Sequence, residues 1–193
     1  MRRAVILLGL ALPFLTPALA AERDAQALAT SQGAIGSTLP ALAFTAVDGK
    51  QITLAELRGR PLLLTLIYTG CADVCPTVVE NLVPAVAAGE EALGKESFDV
   101  AVIGLHTVFE HHEVMTPAAL AVYLHEFRIP FPVAVDRASA DGPIPQTMHA
   151  YAMHGTPTSL LIDRAGRLRK HHFGVEPDQQ MVADIDSLIT EPA

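Results

Sequence analysis

The chain has 193 residues, half of them hydrophobic, and a formal net charge of −8 at pH 7. That length is enough for one domain with a sizeable core, and the acidic balance disfavours binding to nucleic acid or to an anionic membrane surface. The sequence contains two cysteines and no tryptophan.

The N-terminus is typical of a secretory signal peptide. A basic start at residues 1–3 precedes an apolar run over residues 4–15, and Ala18 and Ala20 supply the small residues of a cleavage site. The apolar run of about 12 residues is shorter than the roughly 20 that a membrane-spanning helix needs. We therefore predict export and a soluble protein after cleavage, in the periplasm or another extracytoplasmic compartment. The predicted divisions are a signal peptide over residues 1–20, a lead-in segment or short helix over residues 21–33 and one domain over residues 34–193.

Hydrophobic patterning in the first half of the domain predicts a hairpin followed by alternating strands and helices. Residues 39–47 alternate as a strand does, and Asp48-Gly49-Lys50 turns the chain into a return strand over residues 51–54. Thr116 and Pro117 supply an N-cap and a first-turn proline for a later helix. The elements between and after them are a helical turn at residues 55–58, a buried strand at 61–69, a helix at 76–93, a buried strand at 97–105, a loop at 106–115 and a helix through 127.

The second half predicts a different kind of sheet. A turn at residues 164–166 joins two strand patterns, which should form an antiparallel hairpin. The predicted elements are a strand at 131–135, a short helix at 145–153, the hairpin strands at 158–163 and 167–173, and a helix at 176–190. Strands that alternate with helices and end in a hairpin and a helix predict an α/β domain, parallel in its first half and antiparallel in its second.

Both cysteines lie where the first long predicted strand meets the first long predicted helix. Cys71 and Cys75 are four residues apart, so they share one helical face. The unpaired N–H groups and positive dipole end of the helix favour the thiolate, which attacks disulfides and binds soft metals. Because a bridge that closes so short a loop constrains the unfolded chain little, a redox or metal-binding role is favoured over a structural disulfide.

The order of elements around this cysteine pair resembles the thioredoxin fold over residues 34–193, in the redoxin branch that carries an N-terminal hairpin. The segment Tyr68-Thr-Gly-Cys71-Ala-Asp-Val-Cys75-Pro76 resembles the C-x-x-x-C-P turn of the Sco/SenC copper-delivery proteins. This resemblance implies a mixed central sheet flanked by helices. It also implies a Cu(I) site made by Cys71, Cys75 and a distal histidine, whose place His154 matches. Two thiolates and one imidazole suit Cu(I).

A second resemblance is to the thiol–disulfide oxidoreductases of the TlpA/ResA type. It is carried by Gly155-Thr-Pro157-Thr followed by Ser-Leu-Leu-Ile-Asp163. In that family a cis-proline at the position of Pro157 lies beside the cysteine pair, shapes the groove for a substrate disulfide and keeps metals from the thiols. Sco proteins usually lack this proline. The oxidoreductases usually have a tryptophan before a C-x-x-C pair, which this chain lacks.

Peroxidase activity is disfavoured. A peroxiredoxin requires threonine or serine three residues before its reactive cysteine, and this chain has Tyr68 and Ala72 there.

Other histidines, and one aspartate within the motif, each have more than one possible role. The loop over residues 106–113 contains His106, His111 and His112 and should lie at the same end of the sheet as the cysteines. A solvated loop is favoured there over a metal site. His171 and His172 receive the same interpretation as ordinary polar residues. Asp73, between the thiols, either tunes them or caps the helix.

We therefore expect a thiol–disulfide oxidoreductase in which Cys71 is the exposed nucleophile, Cys75 resolves the mixed disulfide and Pro157 shapes the substrate groove. No organic cofactor is expected. The expected partners are a client protein's disulfide or dithiol and a protein electron donor, without nucleic acid or stable membrane insertion. The alternative is a copper chaperone that delivers Cu(I) for respiratory oxidase assembly through Cys71, Cys75 and His154.

Overall fold

The computed structural model describes residues 17–70, 74–94 and 100–191. The helices are α1 Pro17–Gly33, α2 Val74–Leu93, α3 Pro117–Glu126, α4 Gln146–Ala150 and α5 Asp178–Thr190. The strands are β1 Ala43–Ala46, β2 Gln51–Thr53, β3 Leu62–Ile67, β4 Ala101–His106, β5 Val133–Val135, β6 Thr158–Ile162 and β7 Leu168–Phe173. A short 3-10 helix, Leu54–Leu57, follows β2.

The strands form one seven-stranded mixed sheet in the order β2-β1-β5-β4-β3-β6-β7. Strand β4 is parallel to both β3 and β5. The other neighbours pair antiparallel, including the N-terminal β1–β2 hairpin and the β6–β7 hairpin. The α/β class, the N-terminal hairpin and the change from parallel to antiparallel pairing are therefore confirmed.

The core lies on both faces of β3, because every residue of that strand is buried. On one face Leu64 packs in a cluster with Phe44 of β1 and Tyr151. On the opposite face Leu63 packs with Leu82 of α2 and other residues that include Ile185 of α5. Full burial of each such side chain contributes roughly 1.5–3 kcal/mol, so a strand without a solvent face holds both helical layers to the sheet.

Several predicted boundaries differ from the structure by a few residues, among them those of α1 and β4. The segment at residues 21–33 is part of a continuous helix, α1, because its alanine-rich sequence has high helix propensity. That helix begins at Pro17, inside the predicted signal peptide, most of which lies outside the described residues. Strand β4 ends one residue later than predicted, because His106 still pairs with Ile67 and Val135. Within the described residues no helix is both long and apolar enough to cross a membrane.

Candidate redox site

Helix α2 provides the framework for the cysteine pair. Since the helix begins at Val74, Cys75 is its second residue, and Cys71 lies three residues before the helix start in the sequence. The predicted start of a helix at this point is confirmed. Cys71, like Asp73, lies outside the described residues, and only the backbone of Cys75 is described. The first turn of a 20-residue helix offers unpaired N–H groups and a positive dipole end, which stabilise a thiolate.

Pro157 lies at the same edge of the sheet. It immediately precedes β6, which runs antiparallel to β3 with Ser159 opposite Thr65, so the start of β6 meets the end of β3. The Thr156–Pro157 peptide bond is cis, as the resemblance implies. Pro157 is buried, and its carbonyl accepts a hydrogen bond from the N–H of Gly174 over 2.9 Å. The loop that contains this proline, residues 154–157 (the proline loop), is thereby connected to the end of β7.

His154, the candidate third copper ligand, is exposed and stands three residues before Pro157. The buried His171 lies near enough to interact with His154 electrostatically. Burial lowers the pKa of His171, and the nearby His154 contributes to the lowering. His154 is therefore at the cysteine edge of the sheet and is open to solvent.

The residues between β3 and the cysteines are held by the loop that follows β4. The hydroxyl of Tyr68 donates to Oε1 of Glu110 over 3.0 Å. The Tyr68 ring stacks on Phe109, with ring centroids 5.1 Å apart. One residue earlier, the carbonyl of Ile67 accepts from the N–H of Thr107 over 3.0 Å. The strand end that leads to Cys71 is thus fixed by both backbone and side-chain contacts.

Thr69 is held by two further side chains. Its hydroxyl donates to Sδ of Met115 over 2.9 Å, and Nε2 of His106 lies 3.3 Å from the same oxygen. His106 is only 1% exposed, and burial lowers its pKa to about 4. Its Nδ1 has no hydrogen-bond partner among the described residues. His106 is therefore a neutral imidazole at physiological pH.

The histidine-rich loop does not gather its ligand-type side chains at one point. His111 and His112 are exposed, and Nδ1 of His111 lies 3.9 Å from Glu113. Among the residues whose side chains are described, no three of His, Cys, Asp and Glu could hold a metal ion together. The expectation of a solvated loop holds for the exposed His111 and His112 but was wrong for His106, which is buried at the end of β4 and contacts Thr69. The available signal was that His106 ends a buried strand.

A groove runs beside the start of α2. It is lined in part by Val78 of α2, Ser159 of β6, and Val175 beyond β7. Val78 is about one helical turn from Cys75. Two large apolar side chains near the groove are exposed, Phe173 by 63% and Val175 by 54%. An apolar surface therefore adjoins both the helix start and the proline loop.

Comparison with known proteins places the chain in a family. The SCO1/SenC family model matches residues 36–132. The thiol-disulfide oxidoreductase ResA of Geobacillus thermodenitrificans (strain NG80-2) is 21% identical over 155 residues, which cover 80% of this chain and 78% of the relative. ResA of Bacillus thuringiensis (strain Al Hakam) is 24% identical over 150 residues, or 76% of this chain and 74% of the relative.

Solved structures agree with these relatives. A thioredoxin-like superfamily protein is 42% identical with a TM-score of 0.64, and the match covers 80% of this chain and 99% of that one. A thiol-disulfide isomerase from Corynebacterium glutamicum is 36% identical with a TM-score of 0.67, over 81% of this chain and 98% of that one. The chain accordingly has a thioredoxin-like fold, and it belongs to the SCO1/SenC family as a redoxin of the ResA/Sco type.

Proposed function

We propose that this protein exchanges thiols and disulfides with client proteins through Cys71 and Cys75. The proposal is supported by the start of α2 at Val74, which puts Cys75 in its first turn and leaves Cys71 three residues before it in the sequence, since a helix N-terminus favours thiolates. The relationship to proteins named thiol-disulfide oxidoreductase and thiol-disulfide isomerase supports the same chemistry.

In the reducing direction the Cys71 thiolate attacks one sulfur of a client disulfide. A mixed disulfide forms, and the other client sulfur leaves as a thiolate that takes up a proton. Cys75, deprotonated in turn, attacks the sulfur of Cys71 and releases the second client thiol. Two electrons pass from the dithiol to the client, and the protein is left with a Cys71–Cys75 disulfide. The dithiol of another protein restores it, and the same steps run in reverse for client oxidation.

The groove itself is small, about 20 Å³, so a client segment would lie against the apolar surface around it. Val78 and Val175 line the groove, and Phe173 is exposed beside Gly155 in the proline loop. Burying exposed apolar surface of this kind against a client segment is favourable. Pro157, whose cis peptide bond immediately precedes β6, would shape this surface near the end of β3.

The cellular setting is part of the proposal. Residues 1–20 would direct export and be removed, and residues 34–193 would act as one redoxin domain outside the cytoplasm. An oxidising compartment is where an exchange protein meets client disulfides.

Single cysteine variants test the exchange directly. Reduced Cys75→Ser and Cys71→Ser proteins are each mixed with a model peptide that contains one disulfide, and the products are separated without reductant. Cys75→Ser should accumulate a mixed disulfide with the peptide, because the resolving thiol is missing, whereas Cys71→Ser should not. Trapping by Cys71→Ser alone would reverse the two roles. Trapping by neither variant would refute the exchange.

The family also favours a second candidate, delivery of Cu(I). His154 supports it, because it is an exposed imidazole at the sheet edge from which α2 and its two cysteines begin. A donor set of two thiolates and one imidazole fits Cu(I) as cargo. Titration of the reduced protein with Cu(I) against a competing chelator tests this function. The comparison is between His154→Ala and His149→Ala, since His149 is an exposed histidine on α4. One-to-one binding weakened only by His154→Ala would establish copper binding, and failure to compete with the chelator would exclude it.

A further inference from the structure

His106 has no part in the exchange chemistry, yet it contacts the segment that leads to Cys71. It is the last residue of β4 and pairs with Ile67, the last residue of β3. Its ring nitrogen Nε2 reaches Thr69, two residues beyond the end of β3 and two residues before Cys71. The imidazole therefore contacts the segment that leads to the proposed nucleophile, Cys71.

The two contacts of the Thr69 hydroxyl bear on which nitrogen of His106 carries the proton. A hydroxyl has one proton, and the Thr69 proton is directed at Sδ of Met115. The oxygen then accepts, which suits the tautomer of His106 that carries its proton on Nε2, 3.3 Å from that oxygen. The remaining nitrogen, Nδ1, carries no proton in that tautomer. Its lack of a partner among the described residues is consistent with this, because a bare nitrogen leaves no N–H unpaired.

Both ends of this chain of hydrogen bonds are rigid. His106 is 1% exposed and Met115 is 4% exposed, so both side chains are held by the surrounding core. The two residues before Thr69 are held by the same loop, through Thr107 to Ile67 and through Glu110 to Tyr68. Three consecutive residues that lead to Cys71 are thus fixed from one side by residues 106–115.

We propose that His106 is a positioning residue for the dithiol, which acts through the hydroxyl of Thr69 to orient the turn that presents Cys71 at the start of α2. The inference rests on the proposed thiol–disulfide exchange at that turn. As a neutral imidazole, His106 holds Thr69 without adding a charge to the segment that leads to Cys71. Met115 completes the arrangement as the acceptor that directs the Thr69 proton away from His106.

The experiment compares Thr69→Val with Thr69→Ser in the full chain. Valine has nearly the shape of threonine without the hydroxyl, whereas serine keeps the hydroxyl. We measure the pH midpoint of alkylation of Cys71 by iodoacetamide and the rate of exchange with the model disulfide peptide. Thr69→Val should move the midpoint to higher pH, because the thiol is less well aligned with the helix N-terminus, and should slow exchange about tenfold. Thr69→Ser should stay within about twofold of the wild type in rate.

A second pair of variants addresses His106 itself. The amide of His106→Gln retains an N–H donor at similar reach, whereas His106→Leu has none. His106→Gln should therefore retain more of the wild-type rate and midpoint than His106→Leu. His112→Gln changes an exposed histidine of the same loop and should leave both unchanged. Thermal unfolding of every variant shows which of them are folded.

The outcomes separate this inference from the proposed function. If wild-type protein does not exchange with the peptide, the proposed function fails, and the alkylation midpoint alone decides whether Thr69 positions the thiol. If wild-type protein exchanges and Thr69→Val matches it in rate and midpoint, the positioning role of His106 is overturned. Equal losses in Thr69→Val and Thr69→Ser would also overturn it, because the hydroxyl would then carry no specific effect.

Discussion

Nε2 of His172 lies 3.1 Å from Oδ2 of Asp184, which joins the edge strand β7 to the final helix α5. The other carboxylate oxygen of Asp184, Oδ1, lies 2.9 Å from Nζ of Lys170. Asp184 is only 5% exposed. A buried carboxylate with two basic partners holds β7 beside the groove proposed for the client, so the stability of this edge depends on it.

Asp184→Ala should therefore destabilise the protein. The substitution removes a buried carboxylate that Lys170, His172 and Gln180 all contact, and loss of hydrogen bonds to a charged group costs about 1.5–3 kcal/mol. Urea unfolding measures the loss. Asp186→Ala is the matched control on α5, since the Asp186 side chain has no hydrogen-bond or ion-pair partner described. A loss no larger than that of Asp186→Ala would contradict the structural role of Asp184.

The buried His106 should make stability depend on pH. Burial lowers the pKa of His106 from 6.5 to about 4 in the folded protein. Between those values the unfolded chain binds a proton that the folded chain does not, so stability falls as the pH falls from 6.5 towards 4, by at most ~1.4 kcal/mol per pH unit. The lowered pKa of His171 acts in the same direction, whereas the pKa of Asp136, raised by burial, acts in the opposite direction.

Comparison with His106→Gln isolates the contribution of His106. Free energies of unfolding in urea at several pH values between 4.5 and 7 should show a shallower dependence in the variant. NMR titration of the His106 ring in the wild type should give a midpoint near 4. A ring that titrates near 6.5 would show that His106 is solvated rather than buried.

Phe173 should affect binding of a protein client more than the chemistry. Its side chain is 63% exposed and lies beside Gly155 in the proline loop. Phe173→Ala should raise KM for an apolar disulfide peptide several-fold and leave the rate with glutathione disulfide unchanged, because the small substrate does not reach the ring. Leu28→Ala removes a comparably exposed apolar side chain from α1 and serves as the control. Equal effects on both substrates would place Phe173 outside the client groove.

Thr116 should stabilise α3 as its N-cap. Its hydroxyl accepts from the N–H of Ala119 over 3.2 Å. Thr116→Ala should cost about 1 kcal/mol in the free energy of unfolding, and Thr116→Ser should retain most of it. Urea unfolding of the two variants checks this, and identical losses would show that the cap contributes nothing.

Local patterns predicted most of the elements because their causes are local. The buried run of β3 and the Thr116-Pro117 helix start both depend on neighbouring residues. The resemblance supplied the cis bond at Pro157. The contacts of Thr69 were not predictable in this way, because His106 and Met115 lie 37 and 46 residues away and reach it only through the pairing of β3 with β4.

The same limit applies to the other side-chain networks. The sequence interpretation took His172 as an ordinary polar residue. Its partner Asp184 is on α5, and hydrophobic periodicity predicts that helix without predicting which residues of β7 it contacts. Strand order is non-local as well. The position of β5 between β1 and β4 has no signal in the sequence of β5 alone, a strand of three residues.

The central claim is that Cys71 and Cys75 pass two electrons to a client disulfide and are restored by a dithiol. The most direct measurement is the rate at which a catalytic amount of the full chain reduces the model disulfide peptide in excess dithiol reductant, compared with Cys71→Ser and Cys75→Ser. The wild type should perform multiple turnovers, and Cys71→Ser should perform none above the uncatalysed rate. Turnover that persists in Cys71→Ser, or a wild-type rate equal to that of the reductant alone, would contradict the central claim.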